Sequence, residues 1–214
     1  MTYLTPRQIC ALAPVIPVLT IERLEDAAPL ARALVAGGLR ALEVTLRTPC
    51  ALDAIRAMIE AAPDAVVGAG TLRSAADVAA CMEVGAAFGV SPGGPAALIA
   101  AVKAAGLPFL PGCASPTEAM TLADHGFDVV KFFPAEAAGG IPMLKSMAGP
   151  LPDIMICPTG GVGLANAPAY LKLANVAVVG GSWVAPMDAI AAGDWALIER
   201  LSREAVAALA PHQG

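Results

Sequence analysis

Short apolar runs rich in β-branched residues recur along the chain. They read PVIPVL from residue 14, RALEVT from 40, AVVGAG from 65, AAFGVS from 86, LPFLPG from 107, FDVVKFF from 127, DIMICPT from 153 and NVAVVGG from 175. Each has the length and composition of a buried strand. Between them lie alanine-rich segments with helical spacing, such as LEDAAPLARALVAGG, CALDAIRAMIEAAP, SAADVAACMEVG and TEAMTLADHG. Gly37, Gly85, Gly106 and Gly126 stand where such helices should stop. Ser74 and Thr5 stand where helices should start, and Pro6 suits a first helical position.

Strands that alternate with helices pair in parallel through right-handed crossovers. Eight such units, spaced by roughly 20 to 26 residues, predict a closed (β/α)8 TIM barrel. No linker or change of composition divides residues 1–214, so they are expected to form a single domain. A further N-terminal helix, residues 5 to 13, is expected to cover the N-terminal end of the barrel. An open doubly wound sheet is the competing arrangement, and eight nearly even units make it the weaker one.

Composition narrows the setting. Hydrophobic residues make up 57% and charged residues 14%, which suits a core buried on several layers. A formal charge of −5 without a Lys/Arg cluster argues against a nucleic-acid partner. The N-terminus shows no signal-peptide pattern, and Gly, Pro or charge breaks every apolar stretch before it reaches spanning length, so a soluble cytoplasmic protein with no membrane partner is expected. The five cysteines, at 10, 50, 81, 113 and 157, lack a CxxC pair and read as reduced thiols. The two histidines, His125 and His212, are far apart, so no metal site and no cofactor are expected.

In such a barrel the active site lies at the C-terminal ends of the strands. Polar residues gather there. LEVTLR places Glu43, Thr45 and Arg47 on one face of strand two and Leu42, Val44 and Leu46 on the other. Thr71 ends strand three, and Ser91 and Pro92 end strand four. Thr159, Gly160 and Gly161 end strand seven, and Gly180, Gly181 and Ser182 end strand eight. Taken singly, a Ser or Thr in such a place caps the next helix, and a Lys or Glu is a solvated rim charge. The two glycine pairs lack Cβ atoms, so their backbone N–H groups can approach an anion at the usual phosphate position of these barrels. Lys103, Lys145 and Lys172 fall in helical segments, where a solvated stem is sufficient explanation. Lys131 alone stands inside a strand, in DVVKFFPAE. An ammonium is costly to desolvate, and a buried amine can serve as a nucleophile toward a ketone. A strand lysine, an inward Glu, an Arg for a carboxylate and a phosphate cradle make the tool set of a lysine aldolase for a phosphorylated keto acid. Two alternatives stay open: an isomerase or decarboxylase in which Lys131 is never covalent, and a barrel that only binds a sugar phosphate.

LEVTLRT, VGAGT, KFFPAE, CPTGG and GGSW, in that order over essentially the whole chain, resemble the 2-keto-3-deoxy-6-phosphogluconate (KDPG) aldolases, which also act as 4-hydroxy-2-oxoglutarate (KHG) aldolases. The resemblance implies a homotrimer of (β/α)8 barrels that forms a Schiff base. It implies Lys131 as the Schiff-base lysine and Glu43 as the general acid/base. It assigns Arg47 and Thr71 to the carboxylate of the pyruvate portion, with Pro92 lining that pocket and Phe133 beside the imine. Gly160, Gly161 and Ser182 would hold the phosphate, with Thr159 close to the substrate. Aldolases for the galactonate epimer share the fold but typically carry an arginine at the end of strand one and a PLNSP-like end to strand two. Here those strands end VLT and TLRTP, which favours the gluconate substrate. Cys113 stands where relatives more often have an aliphatic residue, a departure that should not touch the chemistry and bears only on the pocket's edge or its sensitivity to thiol reagents.

Overall fold

The structure is a computed structural model and describes residues 3–210. Its strands are β1 (Val15–Leu19), β2 (Ala41–Thr45), β3 (Val66–Gly70), β4 (Gly89–Val90), β5 (Phe109–Leu110), β6 (Gly112–Cys113), β7 (Val129–Phe132), β8 (Met155–Pro158) and β9 (Val179–Gly181). Its helices are α1 (Pro6–Cys10), α2 (Ala27–Ala36), α3 (Ala51–Ala61), α4 (Ala75–Glu83), α5 (Ala96–Ala105), α6 (Pro116–Asp124), α7 (Gly140–Ala148), α8 (Ala167–Leu171), α9 (Met187–Ala192) and α10 (Trp195–Leu209). His212 lies outside the described residues.

The pairing is parallel throughout. One six-stranded sheet runs β5-β4-β3-β2-β1-β9, and a three-stranded sheet runs β6-β7-β8. Two isolated parallel bridges, Ile156↔Val176 and Thr159↔Gly180, link β8 to the stretch that ends in β9. Every predicted run carries a strand, but the run from 107 is split. Pro111 separates β5 from β6, because proline has no N–H to give a ladder.

Parallel sheets need cover on both faces. On one face, Leu42, Val44, Val67 and Val130 join Leu30, Ile55, Val102 and Leu122 from the helices in the larger apolar cluster. On the other, Ile16, Ala41, Val90, Leu110, Val129 and Cys157 meet one another in a second cluster. That cluster draws on strands of both sheets, so the sheets curl around it. Ile9 and Cys10 of α1 belong to the same cluster and close one end.

Helix α1 begins as expected, with Thr5 and Gln8 forming a capping box and Pro6 in the first turn. It is shorter than the predicted 5–13 because the chain turns at Ala11 toward Pro14, and the residue before a proline avoids helical geometry. Ser74 likewise caps α4 in a box with Asp77. Gly85, Gly106 and Gly126 carry the positive φ of helix stops, whereas Gly37 is right-handed at φ −78° and Gly38 makes the turn at φ +95°. Gly37 has a different reason to be glycine. A Cβ there would collide with Ser202 of α10 and sit 2.8 Å from the Glu199 carbonyl oxygen.

Candidate active site

Glu43 and Lys131 come from β2 and β7, strands of different sheets. Alternation puts Glu43 on the same face as Ala41, and Lys131 on the same face as Val129, inside the curl. There the Lys131 Nζ donates to Glu43 Oε1 at 3.2 Å, and the two residues are 5% and 3% exposed. A buried ammonium next to a buried carboxylate satisfies both charges, which neither could tolerate alone. Glycine at position 70 of β3 leaves room for this carboxylate, since a Cβ there would collide with Glu43 Oε1. The Phe133 ring centroid lies 5.5 Å from Nζ, within cation–π range.

The neighbours of the pair are polar but ordered. The Thr45 hydroxyl donates to the Leu19 carbonyl at 2.8 Å and lies 3.2 Å from the hydroxyl of Thr20. Cys157, the register partner of Lys131 on β8, is a thiol that burial pushes up to about 12, partly offset by the Lys131 charge. It stays a neutral wall of the site. Its sulfur lies 3.9 Å from the hydroxyl of Thr159.

A cavity of about 440 Å3 opens at the C-terminal ends of β1, β8 and β9. Arg47, Phe133, Thr159, Gly160, Gly161 and Ser182 line it, all singled out from the sequence. Lys131 and Glu43 are buried and do not line it, but Phe133, which does, also lies near the Lys131 Nζ. Thr71 and Pro92 lie at the ends of β3 and β4 and do not line this cavity. Thr71 is held at φ +65°, an unusual conformation for a residue with a Cβ. Thr20, Pro186 and Met187 also line the cavity and were missed. Thr20 had a readable signal, a hydroxyl directly after the apolar run of β1. Cys113 is 2% exposed, packs in the larger cluster beside the helices, and does not line this cavity. Burial, and then the charge of Glu118, push its thiol up to about 12.

The wall after β8 is a glycine turn with φ +99° at Gly160 and +77° at Gly161. Backbone bonds tie it to the segment after β7, from Ala135 N–H to the Thr159 oxygen at 2.8 Å and from Glu136 N–H to the Gly160 oxygen at 3.1 Å. The cavity thus presents a guanidinium, hydroxyls and side-chain-free backbone to a ligand, beside a buried amine and carboxylate. That set suits an anionic substrate with a carbonyl group.

The chain is similar to known proteins over most of its length. The family description "KDPG and KHG aldolase" matches residues 7–201. A 2-dehydro-3-deoxy-phosphogluconate aldolase of Pseudoalteromonas atlantica is 49% identical over 197 residues, 92% of each chain. A KHG/KDPG aldolase of Escherichia coli K12 is 48% identical over 92% of this chain and 93% of its own. A solved KDPG aldolase from Legionella pneumophila, with pyruvate captured as a covalent carbinolamine intermediate, superposes with a TM-score of 0.93 at 46% identity, over 95% of this chain and 98% of that one. A family match across most of the chain, with relatives near half identity over nine-tenths of its length, establishes that this chain belongs to the KDPG and KHG aldolase family.

Proposed function

We propose that this chain is a Schiff-base (class I) aldolase. It reversibly cleaves 2-keto-3-deoxy-6-phosphogluconate to pyruvate and glyceraldehyde 3-phosphate, and also 4-hydroxy-2-oxoglutarate to pyruvate and glyoxylate. The observation that carries this reading is the Lys131–Glu43 contact, an amine and a carboxylate 3.2 Å apart in a nearly closed site.

Chemistry follows from the pair. Glu43 accepts a proton from Nζ, and the free amine adds to the C2 ketone of the substrate to give a carbinolamine. Glu43 returns that proton to the carbinolamine hydroxyl, which leaves as water to give the protonated imine, an electron sink, and Glu43 is again a carboxylate. Glu43, directly or through a water, takes the proton of the C4 hydroxyl as the C3–C4 bond breaks and the aldehyde leaves. The electron pair of that bond passes into the imine as an enamine. Protonation at C3 and hydrolysis release pyruvate and restore the lysine. Arg47 and Thr71 hold the carboxylate, with Pro92 lining the pyruvate side of the rim and Phe133 packed beside the imine. Gly160, Gly161 and Ser182 cradle the phosphate, with Thr159 close to the substrate.

The same reading takes residues 1–214 as one domain, a closed (β/α)8 barrel with α1 covering its N-terminal end. The parallel bridges from β8 to β9 and the single proline between β5 and β6 support closure. A homotrimer in the cytoplasm completes it. The described residues hold no helix long and apolar enough to cross a membrane.

Borohydride reduction in the presence of pyruvate tests the proposal. Mass spectrometry should find one adduct, on Lys131, and Lys131→Ala should abolish it together with cleavage. An adduct on Lys103, Lys145 or Lys172, or cleavage that survives borohydride, would sink the Schiff-base reading.

A further inference from the structure

Glu136 ends the KFFPAE motif and takes no part in the chemistry above. It has a defined partner all the same. Tyr170 of α8 is fully buried, and its hydroxyl donates to Glu136 Oε1. The phenol is held above its usual range by burial, then by this hydrogen bond and the carboxylate charge, so it remains a donor.

This pair is built against the glycine turn. A Cβ on Gly161 would lie 2.6 Å from Cγ of Glu136, so the turn rests directly on that side chain. A Cβ on Gly140 would lie 3.1 Å from the Tyr170 oxygen and 3.4 Å from Glu136 Oε1, so the far side of the pair is also closely packed. The Glu136 N–H donates to the Gly160 oxygen at 3.1 Å. On the opposite flank, Asn166 Nδ2 donates to the Gly161 oxygen at 3.0 Å, and the Gly163 N–H donates to Asn166 Oδ1 at 2.8 Å. Two glycines at positive φ have wide conformational freedom of their own. These contacts remove it at a wall of the cavity made of bare backbone.

We infer that Glu136, held in place by Tyr170, is a positioning residue that sets the Gly160–Gly161 turn and so determines recognition of the phosphate end of the substrate, leaving the pyruvate end to Lys131 and Arg47. The inference rests on the proposed function, which places the phosphate at that turn. It separates two substrates by chemistry: the phosphorylated six-carbon keto acid uses the turn, and 4-hydroxy-2-oxoglutarate has no phosphate to offer it. A carboxylate beside a phosphate is otherwise repulsive, so its presence calls for a structural reason, and the hydrogen bond it accepts is that reason.

The experiment compares kcat and KM of the full chain and its variants on both substrates. Glu136→Ala should raise KM for the phosphorylated substrate about tenfold, the scale of one lost charge-assisted hydrogen bond. It should leave kcat on that substrate, and both constants for 4-hydroxy-2-oxoglutarate, within about twofold. Glu136→Gln keeps an acceptor for Tyr170 and removes the charge, so it should bind the phosphorylated substrate as well as or better than the unaltered protein. Tyr170→Phe keeps the ring in its buried place and should reproduce the Ala result in a folded chain. Equal KM changes on the two substrates, an unchanged KM in Tyr170→Phe, or a Gln variant as weak as Ala would each overturn the inference. Failure of the unaltered protein to cleave either substrate would instead sink the proposed function and this inference with it.

Discussion

Replacing Glu43 by leucine removes the partner of an ammonium that is 5% exposed. At 3.2 Å and an effective dielectric near 20, the attraction between the two charges is about 5 kcal/mol. Desolvating each ion costs several kcal/mol, so the intact pair contributes little net stability. Half of it is another matter. Glu43→Leu leaves a buried charge with no partner and should lower the unfolding free energy by about 3–5 kcal/mol. For a chain of this size that corresponds to roughly 6–20 °C in Tm. Lys131→Met should cost a similar amount for the mirror reason. The double variant Glu43→Leu/Lys131→Met removes both charges and fills the space with apolar atoms, so it should unfold within about 1 kcal/mol of the unaltered protein, or above it. Urea unfolding with a constant m-value measures this, at one protein concentration because association shifts apparent stability. A double variant that loses the sum of the single losses would refute the reasoning, since the two sites would then be independent.

The thiols and one helix contact give further expectations. Cys81, Cys113 and Cys157 are all pushed up to about 12, mainly by burial, so at pH 8 each should react with an alkylating agent about a thousandfold more slowly than an ordinary thiol. Only the half-buried Cys50 should label quickly in the folded protein, and rapid labelling of Cys113 would contradict its inward placement. Because these thiols keep their protons in the folded chain while unfolded thiols lose theirs near pH 9, stability is fully present below that pH. It should decline as pH rises from about 9 toward 12, by up to about 1.4 kcal/mol per pH unit for each thiol, and Cys113→Val should flatten the slope. Gly37→Ala should cost about 1–3 kcal/mol although the backbone there is right-handed, because α10 occupies the space its methyl would need. A neutral or stabilising outcome in thermal melts would mean that α2 and α10 can separate.

Much of this protein is legible without its structure. Runs such as RALEVT and FDVVKFF announce strands because side chains alternate strictly along a strand, and that same period of two separates Glu43 from Leu42 and Val44. Caps such as Thr5 and Ser74 are local hydrogen bonds between residues three apart, so sequence alone contains both partners. Lys131 stood out because an amine inside an apolar strand conflicts with its surroundings, and that conflict marks function.

The rest depended on distance in space. That Lys131 meets Glu43, 88 residues away and in another sheet, follows from the curl of the sheets, which no local pattern encodes. The direction of Cys113 is set by how β6 lies against the helices, and the reason for Gly37 is a helix more than 150 residues later in the chain. Thr71 and Pro92 read as equals of Thr159 and Ser182 at their strand ends, yet only the latter two line the cavity. Local sequence determines which residues are polar and which way a strand alternates, because those rest on bonds between near neighbours. Which polar residues converge is decided by the stagger and closure of the strands, and that is a property of the packed whole.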